Sequence, residues 1–213
     1  MRSIAPATLL LLAVATTDAD AAARCVAVKG THTPPRAESV GLIAGEGVPP
    51  AALEGAVDLW ASCPQYGSGF PRLLAGTGGT RTLRIDYDPT SIGDRRCGSF
   101  RGRRIVLHRW IQTEDGRVLS CGPLALNLAH ELGHALGLED SADPACDRFV
   151  MAPILLDRVG LRRPRPAECA ALAAHWWPLG APPTTGTSRV TTLSPRGEET
   201  LAALSLLPAP PRP

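Results

Sequence analysis

His130-Glu-Leu-Gly-His134-Ala-Leu-Gly137-Leu-Glu-Asp140 is the stretch from which the rest of the chain is read. Leu124, Leu128 and Leu132 recur every fourth residue, which places apolar side chains on one helical face. Pro123 suits the first position of such a helix, where a missing N–H is no loss. Gly137 can adopt the left-handed conformation that stops one. The spacing therefore predicts a helix from Pro123 to about Leu136. On it His130 and His134 are one turn apart on the same face, so both imidazoles can reach a single zinc ion. Glu131 is rotated away from that face and suits a general base acting on water beside the metal. A catalytic zinc has three protein ligands and an open position. The turn that Gly137 permits brings Asp140 back toward the metal as the third ligand.

Outward from this stretch the chain reads as mixed helix and strand. Residues 104–110, RIVLHRW, form the strongest strand, with β-branched residues at the centre. LRIDY at 83–87 alternates as a strand does, and RCVAVK at 24–29 can make a short one. A helix opens at Pro50 with Leu53, Val57 and Trp60 on one face, and a last helix opens at Pro166. Residues 31–50 and 64–79 read as loop, 90–102 as turns, and 140–166 show no strong period. No internal repeat is present.

The first 23 residues read as an export signal: Arg2, then the apolar run LLLLAVA at 9–15, then small residues suited to cleavage. Arg24 disfavours acylation at Cys25. The predicted organisation is signal 1–23, catalytic domain 24–178, and a flexible tail 179–213 rich in Pro, Thr and Ser. No other segment is apolar enough to cross a membrane. A net charge of +2 excludes nucleic acid as an expected partner. Six cysteines, all after the signal, predict three disulfides and a secreted or periplasmic location. Their positions suggest Cys146 with Cys169, Cys97 with Cys121, and Cys25 with Cys63.

With these residues on the page, HELGHALGLED matches HExxHxxGxxH with Asp in the last place. The chain resembles the metzincin zinc proteases, most closely the small snapalysin-like bacterial members that carry HExxHxxGxxD. The resemblance implies zinc at His130, His134 and Asp140, Glu131 as general base and acid, and Met151 as the methionine of a tight turn beneath the metal. It implies an α/β (α+β) fold: a twisted mixed sheet over the HExxH helix, with a C-terminal helix below. It further implies a monomeric endopeptidase whose protein or peptide substrate lies extended along an edge strand near 104–110. The motifs cover 130–151, and the first hundred residues match only in outline. The usual third histidine is absent, and Tyr66 and Tyr87, the only tyrosines, do not follow Met151.

Other assignments stand beside this one. Glu168, 34 positions after His134, is the third ligand if the chain is a gluzincin, another zinc-protease class. A non-catalytic exported zinc-binding protein would keep the ligands without turnover. His108 reads as a solvent-facing strand residue, His175 as helix packing, and His32 as a loop residue without a nameable role.

Overall fold

The computed structural model describes residues 24–28, 39–64, 72–141, 143, 146–152 and 163–176. The signal at 1–23, the tail at 179–213, His32 and Tyr66 lie outside the described residues. Among the described residues eight strands and three helices follow in order: β1 (Ala27–Val28), β2 (Ser39–Ala44), α1 (Pro50–Ala61), β3 (Arg72–Ala75), β4 (Arg81–Asp94), β5 (Gly98–Arg101), β6 (Arg104–Gln112), β7 (Val118–Ser120), α2 (Leu124–Leu136), β8 (Leu138–Glu139) and α3 (Pro166–Trp176). The fold is thus mixed α and β, as the sequence predicts.

The main sheet has the order β3-β2-β4-β6-β5, with β7 on the far end of β6. β2 is parallel to both β3 and β4, and β4 is parallel to β6. Parallel neighbours need a crossover, and α1 supplies it between β2 and β3. β5 and β7 are antiparallel to β6, so the sheet is mixed. A second, two-stranded sheet pairs β1 with β8.

The core forms where the alternating strand residues meet the helices. Leu42, Leu83, Ile85, Ile105 and Leu107 from the sheet join Trp60 from α1 and Leu128, Leu132 and Leu136 from α2, all essentially without solvent exposure. Trp60 also donates from Nε1 to the Ala129 carbonyl at 2.8 Å, locking α1 against α2. Cys169 and Leu172 bring α3 into the same core.

Several expectations need correction. Residues 31–50 and 64–79 contain β2 and β3, and 90–102 contain the end of β4 and all of β5. Gly41 in β2, Gly93 at the end of β4 and Gly98 in β5 have low strand propensity, yet tertiary pairing overrides it. Gly41 in β2 is required by packing: a Cβ there would sit 2.6 Å from the Gly76 carbonyl oxygen. β4 is irregular between Asp88 and Ile92, where Pro89 cannot donate to the ladder. The strand at 104–112 is also not an edge. It lies between β4 on one side and β5 and β7 on the other, which leaves β5 at the rim.

Three disulfides join Cys25 to Cys146, Cys63 to Cys169 and Cys97 to Cys121, with Cα separations of 5.4, 5.5 and 5.3 Å. The last matches expectation. The other two replace the expected Cys146–Cys169 and Cys25–Cys63 pairs. β1 pairs with β8 and so carries Cys25 to the segment holding Cys146, while the end of α1 delivers Cys63 to α3. Three disulfides point to an oxidising compartment. Among the described residues no helix is long and apolar enough to cross a membrane.

Candidate metal centre

α2 ends as its sequence requires. Gly137 has φ of 107° and returns its N–H toward the last turn of the helix. β8 follows at once, and the chain reaches Asp140 beside the two histidines. His130 is buried, His134 half-buried and Asp140 exposed. Asp140 Oδ1 lies 3.1 Å from His130 Nε2 and 3.4 Å from His134 Nε2. The two rings stand edge to face, 4.8 Å apart. All three potential ligand atoms fall within 4.8 Å of one another, so the group can hold a metal ion.

The hydrogen bonds on the far side of each ring carry the argument further. His130 Nδ1 is 2.8 Å from the Val150 carbonyl oxygen, and His134 Nδ1 is 3.0 Å from that of Leu138. A carbonyl only accepts, so each Nδ1 bears the proton and donates it. In the neutral rings both Nε2 lone pairs then converge on a carboxylate oxygen. Three acceptors facing one another are repulsive unless a cation joins them, so the donor set is one that could hold a metal ion. When a ring takes up a second proton, its Nε2 donates to Asp140 instead, and such hydrogen bonds from His130 and then His134 hold the Asp140 carboxyl far below the usual carboxylate range. Burial pulls the His134 imidazole down, but its bonds to Asp140 and Leu138 and the Glu131 charge outweigh that and raise it.

Met151 is fully buried under α2. A Cβ on Gly133, between the two histidines, would run into the Met151 sulfur and the Trp60 ring, so glycine is what lets the methionine tuck there. The turn carrying Met151 is held by Ser141 N–H donating to the Met151 carbonyl at 2.8 Å. It is also held by Glu168, which accepts from the N–H groups of Met151 at 2.9 Å and Arg165 at 2.8 Å. Glu168 is wholly buried and stands outside the His130–His134–Asp140 group. Burial raises its carboxyl, against the lowering effect of these backbone bonds.

No protein-family model matches the chain, and no curated protein matches it significantly.

Glu131 is 4% exposed, and its Oε2 has no hydrogen-bond partner among the described residues. Burial raises its carboxyl; the His130 and His134 charges work in the opposite direction. Its other oxygen faces Gly98 at the start of β5, where a Cβ would come within 2.7 Å. Glu131 and the three candidate ligands line one cleft of about 840 Å³, bordered by β5. The Glu131 carboxylate is therefore next to the metal group without belonging to it.

His108 is half-buried and sits 2.9 Å from Ser91 Oγ, bracing the irregular part of β4; it does not line the cleft. Burial lowers its imidazole. His175 packs against Gly137, in line with its expected packing role. The sequence motif does not include Asn127, Gly98 or the Val150 carbonyl. Asn127 had a visible signal: it is the only polar residue between Leu124 and Ala129. The Val150 carbonyl had none, because any residue supplies one.

Proposed function

We propose that this chain is an exported zinc endopeptidase of metzincin type, with His130, His134 and Asp140 as ligands and Glu131 as the general base. The observation that carries the reading is the convergence of two anchored histidines and Asp140 beside a buried Glu131 that lines the same cleft and whose Oε2 has no partner among the described residues. Zinc held there would polarise the scissile carbonyl and acidify a water molecule. Glu131 accepts the proton of the attacking water and delivers it to the leaving amine. Burial raises its carboxyl toward neutral pH, which suits a group that must both take up and give back a proton. Gly98 leaves room for that carboxylate to move. Val150 and Leu138 hold the imidazoles in the tautomer that presents Nε2. The substrate chain adds to the outer edge of β5 rather than to 104–110, because β6 is already paired on both sides.

The test is casein hydrolysis with and without a chelator, then with zinc restored, alongside Glu131→Gln. Hydrolysis should vanish with the chelator and return with zinc. Glu131→Gln should keep its zinc and lose at least about 100-fold in kcat. Activity of the variant within about tenfold of the parent would sink the mechanism. Zinc bound without hydrolysis of any peptide would leave the non-catalytic binding protein.

A further inference from the structure

Asn127 is a buried polar residue in the cleft wall that the proposed hydrolysis does not use. It lies on α2, one turn before Glu131, and is 3% exposed. Its Nδ2 donates to the Cys121 carbonyl at 2.6 Å. That carbonyl can only accept, so the amide orientation is settled by chemistry: nitrogen toward Cys121, oxygen away from it. Oδ1 is buried and has no hydrogen-bond partner among the described residues. A buried, unmatched acceptor is costly and rare in folded proteins, and a ligand donor is one of the things that satisfies it.

The surroundings narrow the ligand. Asn127 shares the cleft with Cys97 and Ile111, which is 5% exposed. The Cys97–Cys121 disulfide ties β5 to the loop whose carbonyl holds Asn127. Thr113 and Glu114 also line the cleft, but Glu114 is engaged by Arg95 at 2.8 Å. Beside Asn127 the wall offers the apolar surface of Ile111 and one neutral acceptor, in a cleft that also carries Arg96, Arg101 and Glu131. A carboxylate would set acceptor against acceptor. An ammonium would lose hydration against a neutral amide. An aliphatic side chain would leave Oδ1 unmatched.

We infer that the Asn127 wall selects substrates with a carboxamide side chain, Gln or Asn, beside the cleaved bond. The amide N–H donates to Asn127 Oδ1 and its methylenes lie against Ile111. The inference rests on the endopeptidase reading and names its substrate class.

The experiment uses the full zinc-loaded chain. Casein digestion with sequencing of the products locates a cut site. Fluorogenic peptides built on it then carry Gln, Glu, Leu or Lys at each position flanking the bond. At one position Gln should exceed its near-isostere Glu, and Leu and Lys, by about tenfold in kcat/KM, the value of one well-made hydrogen bond. In Asn127→Leu that preference should disappear and the Leu peptide should be cut best, with zinc content unchanged. Equal rates for Gln, Glu and Leu at every position would overturn the inference while leaving the endopeptidase intact. Failure to cut casein or any peptide would overturn both. The parent series decides the matter even if Asn127→Leu folds poorly.

Discussion

Glu168 on α3 accepts the backbone N–H of Met151 at 2.9 Å, and the residue before Met151 offers its carbonyl to His130 Nδ1 at 2.8 Å. A buried carboxylate 38 positions along the chain from His130 thus orients a candidate ligand through one peptide unit. Glu168 spends its oxygens on the N–H groups of Met151 and Arg165 and is not among the clustered ligand atoms, which argues against the gluzincin assignment.

Glu168→Ala should therefore cost stability rather than the metal. It strands two N–H donors, and each unmatched buried donor costs about 1–3 kcal/mol. Urea unfolding should show a loss on the order of 2 kcal/mol or more, with zinc still present after dialysis. Zinc lost from this variant but retained in Asp140→Ala would reinstate the gluzincin.

Asp140→Ala should retain the fold and lose zinc, because only two ligands remain. Asp140→His should recover part of the binding if β8 and the following turn can shift to fit the larger ring. Glu139→Ala and Asp143→Ala should bind as the parent does, since neither belongs to the ligand group. Zinc content by mass spectrometry after dialysis separates the four.

Gly98→Ala probes the base without touching a ligand. Its Cβ would press on Glu131 Oε1 from 2.7 Å and push the carboxylate aside. A displacement of this order costs up to about 100-fold in rate. The variant should bind zinc normally and lose at least about tenfold in kcat, consistent with the value of a well-placed base. Parent-like kcat would show that Glu131 needs no such contact.

Replacing Cys25 and Cys146 with serine should loosen the strand that leads to Asp140. The bond closes a loop spanning 121 positions and anchors β1 beside β8. Loss of a native disulfide typically costs about 2–5 kcal/mol. The melting temperature should fall, and zinc should exchange faster than in the parent. Non-reducing peptide mapping of the parent checks the connectivity directly; recovery of Cys146 with Cys169 would contradict the fold described.

His108 makes a prediction about pH. Burial lowers its imidazole in the folded chain, with Asp88 only partly opposing. In the unfolded chain it takes a proton near the ordinary value of about 6.5. The favourable contribution is thus fully present above that value and is lost as pH falls through the lower, folded one. His108→Gln should show a shallower fall in stability across this window. Proton titration by NMR should find the ring titrating below an ordinary histidine; a higher value would contradict the assignment.

The helix α2, its stop at Gly137 and the cluster of His130, His134 and Asp140 were legible in the sequence. The stop and the cluster lie within residues 130–140, governed by helical spacing and one left-handed turn, so local geometry alone brings the groups together. Strands β2, β3 and β5 were not legible. Gly41, Gly98 and Ser99 have little preference for a strand, and only their neighbours in the sheet hold them extended. For the same reason the sequence could not test the edge strand near 104–110 that the resemblance implied, which is interior: a strand's pattern shows which face is buried, not how many partners it has.

The sequence by itself determined the helix, its cap, the presence and order of the candidate ligands, and the number of disulfides. Tertiary structure decided which cysteines pair, which strand borders the cleft, and what holds the ligands in place. Val150 and Glu168 act on His130 through the backbone, and backbone groups are alike at every residue. Only the folding together of distant segments selects which of them serves.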